Sequence, residues 1–444
     1  MKKILIANRG EIALRIIRTA REMGLHTVAV HSECDAHSMH VRSADESVCI
    51  GGNRPKDSYL NIVSIMSACE LTGADAIHPG YGFLSENSEF AAVVERCGIK
   101  FIGPKSTSIK KMGSKVGARE IVEKAGVPVL PGTPAIQDVK TLFSEADRIG
   151  FPVLIKASHG GGGRGMRVVS DPKELEKTYH SARSESQTAF ASSEVFLEKY
   201  VARPRHIEIQ IIADSHGNVV YLGERECTLQ RRHQKVIEEA PSPVMTEELR
   251  KKMGQAACEV AKAVEYEGLG TIEFIVDEKM NFYFMEMNTR IQVEHPVTEF
   301  VTGLDLVKEQ INVARGEKLP FKQEDIIIKG HSIECRINAE DPFTFVPCPG
   351  TIKELILPGG RNVRVDTAAY AGAMVPPFYD SMIGKLVTFG ANRQEAQKTM
   401  LRALGEFTIE GIKTNIPLHK KILGTKNFPE ANFWTKWIED ELLA

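Results

Sequence analysis

The most informative segment of the chain is TIEFIVDEKMNFYFMEMNTR, from Thr271 to Arg290. Two runs rich in β-branched and aromatic residues flank the polar segment Glu278–Asn281, which is the pattern of an antiparallel hairpin. With that segment as the loop, Asp277 lies opposite Phe282, and the same register continues along both strands. The sequence therefore predicts an antiparallel ladder whose register is set by its turn.

This register sets Glu273 directly opposite Glu286 and places Asn288 on the same face, because side chains alternate along a strand. Opposed carboxylates repel each other, so a sheet that pairs them needs a cation or solvent nearby. Two carboxylates and an amide oxygen suit Mg²⁺ that is held partly by substrate phosphates. Two glutamates splayed into water are the alternative interpretation.

The residues that follow, NTRIQVEHP, continue the alternation beyond the hairpin. If the segment is extended, Asn288, Arg290, Gln292 and Glu294 share one side. A guanidinium, an amide and a carboxylate beside a metal site can bind and deprotonate a small oxyanion. An edge strand that faces solvent has the same pattern, and adjacency to the carboxylate pair favours the binding site.

A glycine run, KASHGGGGRGMR, lies between two strand-like segments. Glycines 160–163 and 165 allow close backbone approach, so consecutive N–H groups can surround phosphate oxygens. Lys156 ends the preceding apolar strand, and this lysine favours phosphate binding over the alternative of a surface hairpin. The spacing differs from that of a P-loop.

Three further polar segments are candidates for a site. The segment CTLQRRHQKVIEEAP (Cys227–Pro241) concentrates four basic or potentially basic groups between Arg231 and Lys235, and its alternative is a solvated loop. The segments HPGYGFLSEN (His78–Asn87) and ECRINAEDP (Glu334–Pro342) place polar groups at strand ends, where open α/β sheets bind ligands.

The first hundred residues alternate strand and helix. Apolar runs predict strands at Lys3–Ala7, Thr27–Val30, Ser47–Ile50, Asp75–His78 and Lys100–Gly103, and helical spacing occurs at Leu60–Leu71 and Asn87–Arg96. This alternation predicts a parallel sheet with helices on both faces. The turn NRGEIA lacks GxGxxG, so the sequence predicts a Rossmann-like shape without an NAD site.

The pattern changes after Pro131. Val139–Ile149 has helical spacing, and FPVLIKA, MRVV and VFLEKY predict the strands of a compact unit that can move as one body. Hairpin signals such as HIEIQIIADSHGNVVYLGE dominate from about Val201, and ANRQEAQKTMLRALGEF predicts a late helix. The expected class is α/β, and α+β overall, with a mixed or antiparallel sheet in the C-terminal part.

Length and composition limit the function classes. The 444 residues predict two or three domains, and the net charge of -2 offers no basic field for nucleic acid or anionic membrane. No apolar run approaches the ~20 residues that span a bilayer, and the N-terminus lacks the signal-peptide pattern. The eight cysteines contain no CxxC pair, so we expect reduced thiols in a cytoplasmic protein.

Six segments together resemble the biotin carboxylases of the ATP-grasp superfamily: ANRGEIA, HPGYGFLSEN, KASHGGGGRGMR, QRRHQKVIEEAP, FMEMNTRIQVEHPVTE and ECRINAEDP. The resemblance covers essentially the whole chain from Lys3, and EMNTRIQVEHPVTE is its most specific part. It implies a Rossmann-like domain at 1–103, a helical linker at 104–130, a mobile glycine-loop lid at 131–201, and the catalytic core with the C-terminal domain at 202–444.

The resemblance also implies a role for each matching residue. The residues at the ATP phosphates would be Lys115, Lys156, Gly162 and Gly163; those around the adenine and the rest of the nucleotide would be Glu198, Lys199, Tyr200, Val201, His206, Gln230 and His233. Metal ligands would be Glu273, Glu286 and Asn288. Bicarbonate would contact Lys235, Arg290, Gln292, Val293 and Glu294, and biotin would contact Arg336 near Tyr81. His159 departs from the family, which usually has a fifth glycine there.

The implied activity is ATP- and bicarbonate-dependent carboxylation of biotin N1′ through carboxyphosphate, with Mg²⁺ or Mn²⁺. Arg290, Glu294, Lys235 and Arg336 would be the catalytic residues, and the reaction would be the first half of acetyl-CoA carboxylase in fatty-acid synthesis, or of a pyruvate or other acyl-CoA carboxylase. No AMKM-like segment is present, so biotin would arrive on a separate carrier protein. The expected partners are that carrier, a carboxyltransferase and a second copy of the chain. Another ATP-grasp ligase and a silent nucleotide-binding regulator are the competing interpretations.

Overall fold

The structure is a computed structural model, and it describes residues 1–158, 166–190 and 192–443. The glycine run 160–165 and His159, to which the sequence assigns the phosphate-binding loop, lie outside the described residues. Within the described part of the chain, no helix has both the length and the apolar character needed to cross a membrane.

A five-stranded parallel sheet forms the N-terminal part, in the order β3-β2-β1-β4-β5. Leu5, Val28 and Ile77 pack in one core, and Ile4, Ile6 and Ala29 pack in another, so both faces are covered as predicted. The elements are β1 Lys3–Ile6, α1 Gly10–Glu22, β2 His26–Ser32, α2 Met39–Ser43, β3 Glu46–Gly51, α3 Ile62–Thr72, β4 Ala76–His78, α4 Ser88–Arg96 and β5 Lys100–Phe101.

Two helices then lead into a small antiparallel sheet with the order β7-β6-β8. The predicted helix and three predicted strands of this region are confirmed, whereas the domain limits themselves stay a prediction. The elements are α5 Ser106–Met112, α6 Lys115–Lys124, α7 Val139–Ile149, β6 Val153–Ala157, β7 Arg167–Val169, α8 Leu175–Phe190 and β8 Val195–Lys199.

The rest of the chain builds an eight-stranded sheet in which every neighbouring pair is antiparallel, in the order β13-β12-β9-β10-β11-β14-β19-β17. Two-stranded ladders β15-β18 and β16-β20 accompany it. The elements are β9 Arg205–Ala213, β10 Val219–Arg231, β11 Gln234–Ala240, α9 Glu247–Ala263, β12 Gly268–Val276, β13 Phe282–Asn288, α10 His295–Thr302, α11 Leu306–Ala314, β14 His331–Asn338, β15 Gly350–Thr351, β16 Glu354–Ile356, β17 Val363–Thr367, β18 Met374–Val375, β19 Met382–Gly390, α12 Arg393–Glu406, β20 Thr408–Glu410 and α13 Ile416–Leu423.

The register of the β12–β13 hairpin differs from the prediction beside its turn. Val276, not Asp277, pairs with Phe282, which is a slip of one residue. An irregularity between Glu273 and Phe274 removes the slip, as a β-bulge does by inserting one residue into a strand. Glu273 therefore pairs with Glu286, and the predicted pairing of the two glutamates is confirmed.

The expectation of an extended strand after the hairpin is wrong. β13 ends at Asn288, the chain turns, and Glu294 is the N-cap residue of α10. Pro296 near the start of α10 suits a helix N-terminus because that position needs no backbone donor. The side chains of this turn nevertheless converge on the hairpin, as the contacts below show.

Candidate active site

A cavity of about 790 Å³ collects residues from every part of the fold. Tyr81 follows β4, Lys156 lies on β6, Lys235 on β11, Glu286 on β13 and Arg336 on β14. The predicted site residues that line it are Tyr81, Lys115, Lys156, Glu198, Lys199, Tyr200, Val201, His206, Gln230, His233, Lys235, Glu273, Glu286, Asn288, Arg290, Gln292, Val293 and Arg336. Gly162 and Gly163 lie outside the described residues.

Glu273 and Glu286 face the cavity from adjacent strands, but their surroundings differ. Glu273 accepts hydrogen bonds from Asn288 Nδ2 at 2.9 Å and Gln292 Nε2 at 3.2 Å, and lies 3.1 Å from His206 Nε2. The carboxylate of Glu286 has no hydrogen-bond partner within the described residues, and burial together with the charge of Glu273 raises its pKa. A hard divalent cation would relieve this repulsion, so the pair with Asn288 fits Mg²⁺.

Lys235 connects three buried carboxylates. Its Nζ lies 2.5 Å from Glu208, 2.9 Å from Glu273 and 2.6 Å from Glu294. Burial alone would lower the pKa of Lys235, but the charges of these carboxylates raise it well above its usual value. The ammonium is therefore charged, and it compensates part of a strongly acidic cluster.

Glu294 is the one described residue of the predicted site that does not line the cavity. It is completely buried, and its two oxygens bind Lys235 at 2.6 Å and Arg336 Nη2 at 3.0 Å. Burial opposes ionisation, but Lys235 and Arg336 together hold the pKa of Glu294 well below its usual value. Its carboxylate is thus ionised directly behind the cavity wall.

Two arginines project from opposite sides of this cluster. Arg336 donates through Nε to Glu238 at 2.5 Å, and its Nη1 makes no hydrogen bond within the described residues. Arg290 donates to Glu86 and Asn288 at 2.9 Å and to the Gln292 side chain at 3.1 Å. These bonds fix both guanidinium planes and leave positive charge at the cavity surface.

The nucleotide-side residues are held by polar contacts of their own. Lys156 Nζ donates to Glu198 at 2.5 Å, and Gln230 Nε2 lies 2.7 Å from His206 Nδ1. Lys199 is directed to the backbone carbonyls of residues 150 and 151, so its ammonium is already bound. Lys115 begins α6, where burial lowers its pKa.

Sequence reasoning missed several residues that support the site. Glu208 and Glu238 pair with Lys235 and Arg336, Glu86 pairs with Arg290, and Arg225 donates to Glu208 while fully buried. One signal was available in HIEIQI, where polar residues 206, 208 and 210 alternate with buried isoleucines along β9. Polar residues repeated on one face of a buried strand indicate a site.

The fold and the cavity together define an ATP-grasp enzyme. Residues 114–322 match the family model described as carbamoyl-phosphate synthase L chain, ATP binding domain. The flanking residues 1–109 and 334–440 match the N-terminal and C-terminal domains of biotin carboxylase. The chain belongs to the biotin carboxylase family, and it is an ATP-dependent biotin carboxylase.

Relatives and solved structures agree with this assignment over the whole chain. Biotin carboxylase 1 of Bacillus subtilis is 54% identical, covering 99% of this chain and 98% of the relative. The A subunit of the pyruvate carboxylase of Methanothermobacter thermautotrophicus is 53% identical, covering 99% and 89%. The Campylobacter jejuni biotin carboxylase–β,γ-ATP complex is 50% identical to this chain, with a TM-score of 0.96. The biotin carboxylase domain dimer of Hydrogenobacter thermophilus 2-oxoglutarate carboxylase, in complex with MgADP, ADP and bicarbonate, is 48% identical, also with a TM-score of 0.96. Each similarity covers 99% of this chain and 98% of the solved chain.

Proposed function

We propose that this enzyme carboxylates N1′ of biotin on a separate carrier protein, as the first half-reaction of an acetyl-CoA carboxylase. The observation that carries the residue assignments is the meeting, in one cavity, of the Glu273–Glu286 pair, Lys235 and the two arginines. Acidic ligands for a metal thus lie beside cationic groups for bicarbonate and a ureido oxyanion.

On the nucleotide side, Lys115 and Lys156 bind the ATP phosphates and Glu273, Glu286 and Asn288 hold the metal. Bound Mg²⁺ would reduce the charge repulsion between the phosphates and an attacking anion. Lys156 is held by Glu198 in this structure, so ATP phosphates would compete with that carboxylate for the ammonium.

Bicarbonate binds against Arg290, Gln292, Val293 and Lys235, and Glu294 removes its proton. The bicarbonate oxygen then attacks the γ-phosphorus, ADP leaves, and carboxyphosphate forms. Since Lys235 and Arg336 hold the pKa of Glu294 low, a weakening of the Lys235 contact by bicarbonate would strengthen Glu294 as a base.

Carboxyphosphate breaks down to CO₂ and phosphate inside the cavity, and that phosphate accepts the N1′ proton of biotin. The resulting ureido oxyanion is stabilised by Arg336, whose Nη1 has no hydrogen-bond partner among the described residues. N1′ then attacks CO₂. Tyr81 also lines the cavity and would contact the biotin ring.

The reaction is tested by measuring ADP release with free biotin and labelled bicarbonate. We expect ADP release that requires bicarbonate, is stimulated by biotin, and is matched by acid-labile label on biotin. ATP turnover that does not depend on bicarbonate would contradict the proposal.

The final acceptor requires a separate experiment. The similarity to a bacterial protein named simply biotin carboxylase, with no 2-oxoacid in its name, favours acetyl-CoA as the final acceptor. The similarity to the Methanothermobacter thermautotrophicus protein and to a 2-oxoglutarate carboxylase domain supports a 2-oxoacid as the second candidate. The carrier and carboxyltransferase that co-purify with this chain should be assayed with acetyl-CoA, propionyl-CoA, pyruvate and 2-oxoglutarate. Label in malonyl-CoA, the product from acetyl-CoA, supports the proposal. Label in the dicarboxylic 2-oxoacid formed from pyruvate, or in the tricarboxylate formed from 2-oxoglutarate, would contradict it and identify a 2-oxoacid as the acceptor.

We also propose a cytoplasmic homodimer. The eight cysteines are free thiols, which fits a reducing compartment, and the Hydrogenobacter thermophilus domain is described as a dimer. Light scattering of the purified chain measures the oligomeric state, and a monomeric mass at working concentration contradicts the dimer.

A further inference from the structure

Lys385 is a completely buried lysine to which the proposed mechanism gives no role. It lies on β19, between two strands of the eight-stranded sheet, opposite Arg336 on β14 and opposite Asp366 on β17. A buried ammonium is costly unless it is paired and hydrogen-bonded, so its contacts indicate what it does.

The ammonium of Lys385 reaches two parts of the cavity wall from behind. Nζ donates to the carbonyl oxygen of Val293 at 2.8 Å and lies 3.3 Å from Glu11 Oε1. Glu11, at the start of α1, accepts the hydrogen bond of the Tyr81 hydroxyl. Val293 and Tyr81 both line the cavity.

We propose that Lys385 is a positioning residue that holds the bicarbonate-binding turn and the biotin-facing tyrosine at a fixed separation. This inference rests on the proposed roles of Val293 and Tyr81. By binding the Val293 carbonyl, Lys385 fixes the peptide plane that leads into Glu294. By pairing with Glu11, it fixes the carboxylate that accepts the hydrogen bond of the Tyr81 hydroxyl. One ammonium group therefore orients both the bicarbonate-binding turn and the tyrosine.

The third neighbour, Asp366, does not explain why the lysine is there. Arg364 donates to both Asp366 oxygens, at 2.9 and 2.7 Å, while Lys385 is 3.9 Å away. Asp366 therefore keeps a bidentate partner without Lys385. Glu334 on β14 is a further buried carboxyl near Lys385, but burial raises its pKa well above its usual value, so it binds a proton and needs no cation. The Val293 carbonyl and the Glu11 carboxylate are the groups that Lys385 Nζ contacts most closely.

The test compares Lys385→Met, Lys385→Arg and the double variant Glu11→Gln/Lys385→Met with wild type. Methionine keeps most of the side-chain volume but leaves Glu11 as a buried carboxylate whose cationic partner is lost, and Glu11→Gln removes that penalty. Arg393→Met is the matched control, because Arg393 also pairs with a buried carboxylate, Glu239 at 2.6 and 2.9 Å, away from the cavity.

Because small displacements of reacting groups are costly, we expect Lys385→Met to raise the bicarbonate KM and lower biotin carboxylation by about tenfold to a hundredfold. The ATP KM should change less than about twofold, since nucleotide binding is not displaced. The double variant should regain thermal stability while its bicarbonate KM stays high. Lys385→Arg should recover part of the activity, and Arg393→Met should lose stability only.

Recovery of the bicarbonate KM together with stability in the double variant would reduce Lys385 to a structural residue and overturn the proposal. An equal change in the ATP KM would overturn it as well. Should Lys385→Met not fold, the double variant carries the same comparison, and Glu11→Gln alone must raise the biotin KM. A wild-type enzyme without bicarbonate-dependent ADP release would instead contradict the proposed function itself.

Discussion

Glu294 lies between two cations, and this position makes its role testable. Glu294→Gln should leave the ATP KM nearly unchanged but lower turnover by roughly two to four orders of magnitude, the usual range for a general base. The physical reason is that the amide keeps the shape of the side chain but cannot accept the bicarbonate proton. Steady-state ADP release at saturating bicarbonate measures the effect.

A matched control separates catalysis from the loss of a buried charge. Glu309→Gln changes another buried glutamate, on α11 and outside the cavity, and should leave turnover unchanged. Equal losses of ATP binding and turnover in Glu294→Gln would make Glu294 a metal ligand or a structural residue.

Variants of Arg336 are expected to separate biotin carboxylation from the bicarbonate-dependent cleavage of ATP. The structure pairs Arg336 with Glu238 and Glu294, while Asp341, its nearby carboxylate in the sequence, binds Lys413. We expect Arg336→Ala to reduce biotin carboxylation strongly while much of the slow, biotin-independent ATPase remains. Arg336→Lys should rescue it partly, because an ammonium lacks the planar fork of a guanidinium.

Parallel assays on folded protein decide the role of Arg336. Burial raises the pKa of Glu238 to about 7 even beside Arg336, so without the arginine this carboxyl would bind a proton and avoid a buried charge. A folded variant is therefore expected. A parallel fall of both activities would remove Arg336 from the biotin site.

His419 on α13 makes stability depend on pH. Its Nε2 lies 2.7 Å from the Arg336 carbonyl oxygen, and burial lowers its pKa from 6.5 to about 4. Between these values the unfolded chain binds a proton that the folded chain does not, so stability falls as pH falls. Between pH 7 and pH 5 this lowers the free energy of unfolding by about 2 kcal/mol. His419→Gln keeps a donor for the carbonyl and should remove this loss, which urea unfolding curves at the two pH values measure. An unchanged profile would contradict the burial argument.

Individual site residues were predictable where residue type and parity sufficed, as for Glu273, Glu286 and Asn288. The partners Glu208, Glu238 and Glu86 were not, because each comes from another strand or turn, and pairing across a sheet depends on a strand order that the local sequence does not contain. The carboxylates that neutralise a buried cation can therefore be identified only once the order of the strands in the sheet is known.

At the scale of elements, the hairpin carries the metal prediction. We expect Glu286→Gln to weaken the apparent affinity for Mg²⁺-ATP by about tenfold to a hundredfold, with partial rescue by excess Mg²⁺, because one hard anionic ligand is lost. Glu278→Gln, an exposed carboxylate in the turn of the same hairpin, is the control. Titrations of ADP release against Mg²⁺ measure the shift. An Mg²⁺ dependence of Glu286→Gln equal to that of the wild type would contradict the role of Glu286 as a metal ligand.

The same hairpin shows why element boundaries are easier to predict than register. Alternation identified both strands, and a loop chosen one residue too short gave the wrong pairing at the turn. The irregularity after Glu273 shifts the register by one residue, so the predicted pairing of Glu273 with Glu286 is found. Nothing in the local sequence marks that irregularity, since bulges depend on the twist of the sheet and its neighbours.

At the scale of the whole molecule, the parallel N-terminal sheet was predictable because its strands alternate with helices along the chain. The eight-stranded sheet was not, since it joins strands far apart in sequence, such as β11 at 234–240 with β14 at 331–338. Such long-range pairings are decided by burial of whole faces rather than by local preference. The resemblance to a family supplied what periodicity could not.

The order of strands in the eight-stranded sheet also bears on how the protein is made. Strands β9 to β13 are consecutive in sequence, and they leave the ribosome before β14, which brings Arg336 to the cavity, and before β19, which places Lys385 behind its wall. Domains commonly fold while synthesis continues. A growing chain therefore acquires the hairpin proposed to bind the metal, and the lysines proposed to bind the nucleotide, before the arginine proposed to bind biotin.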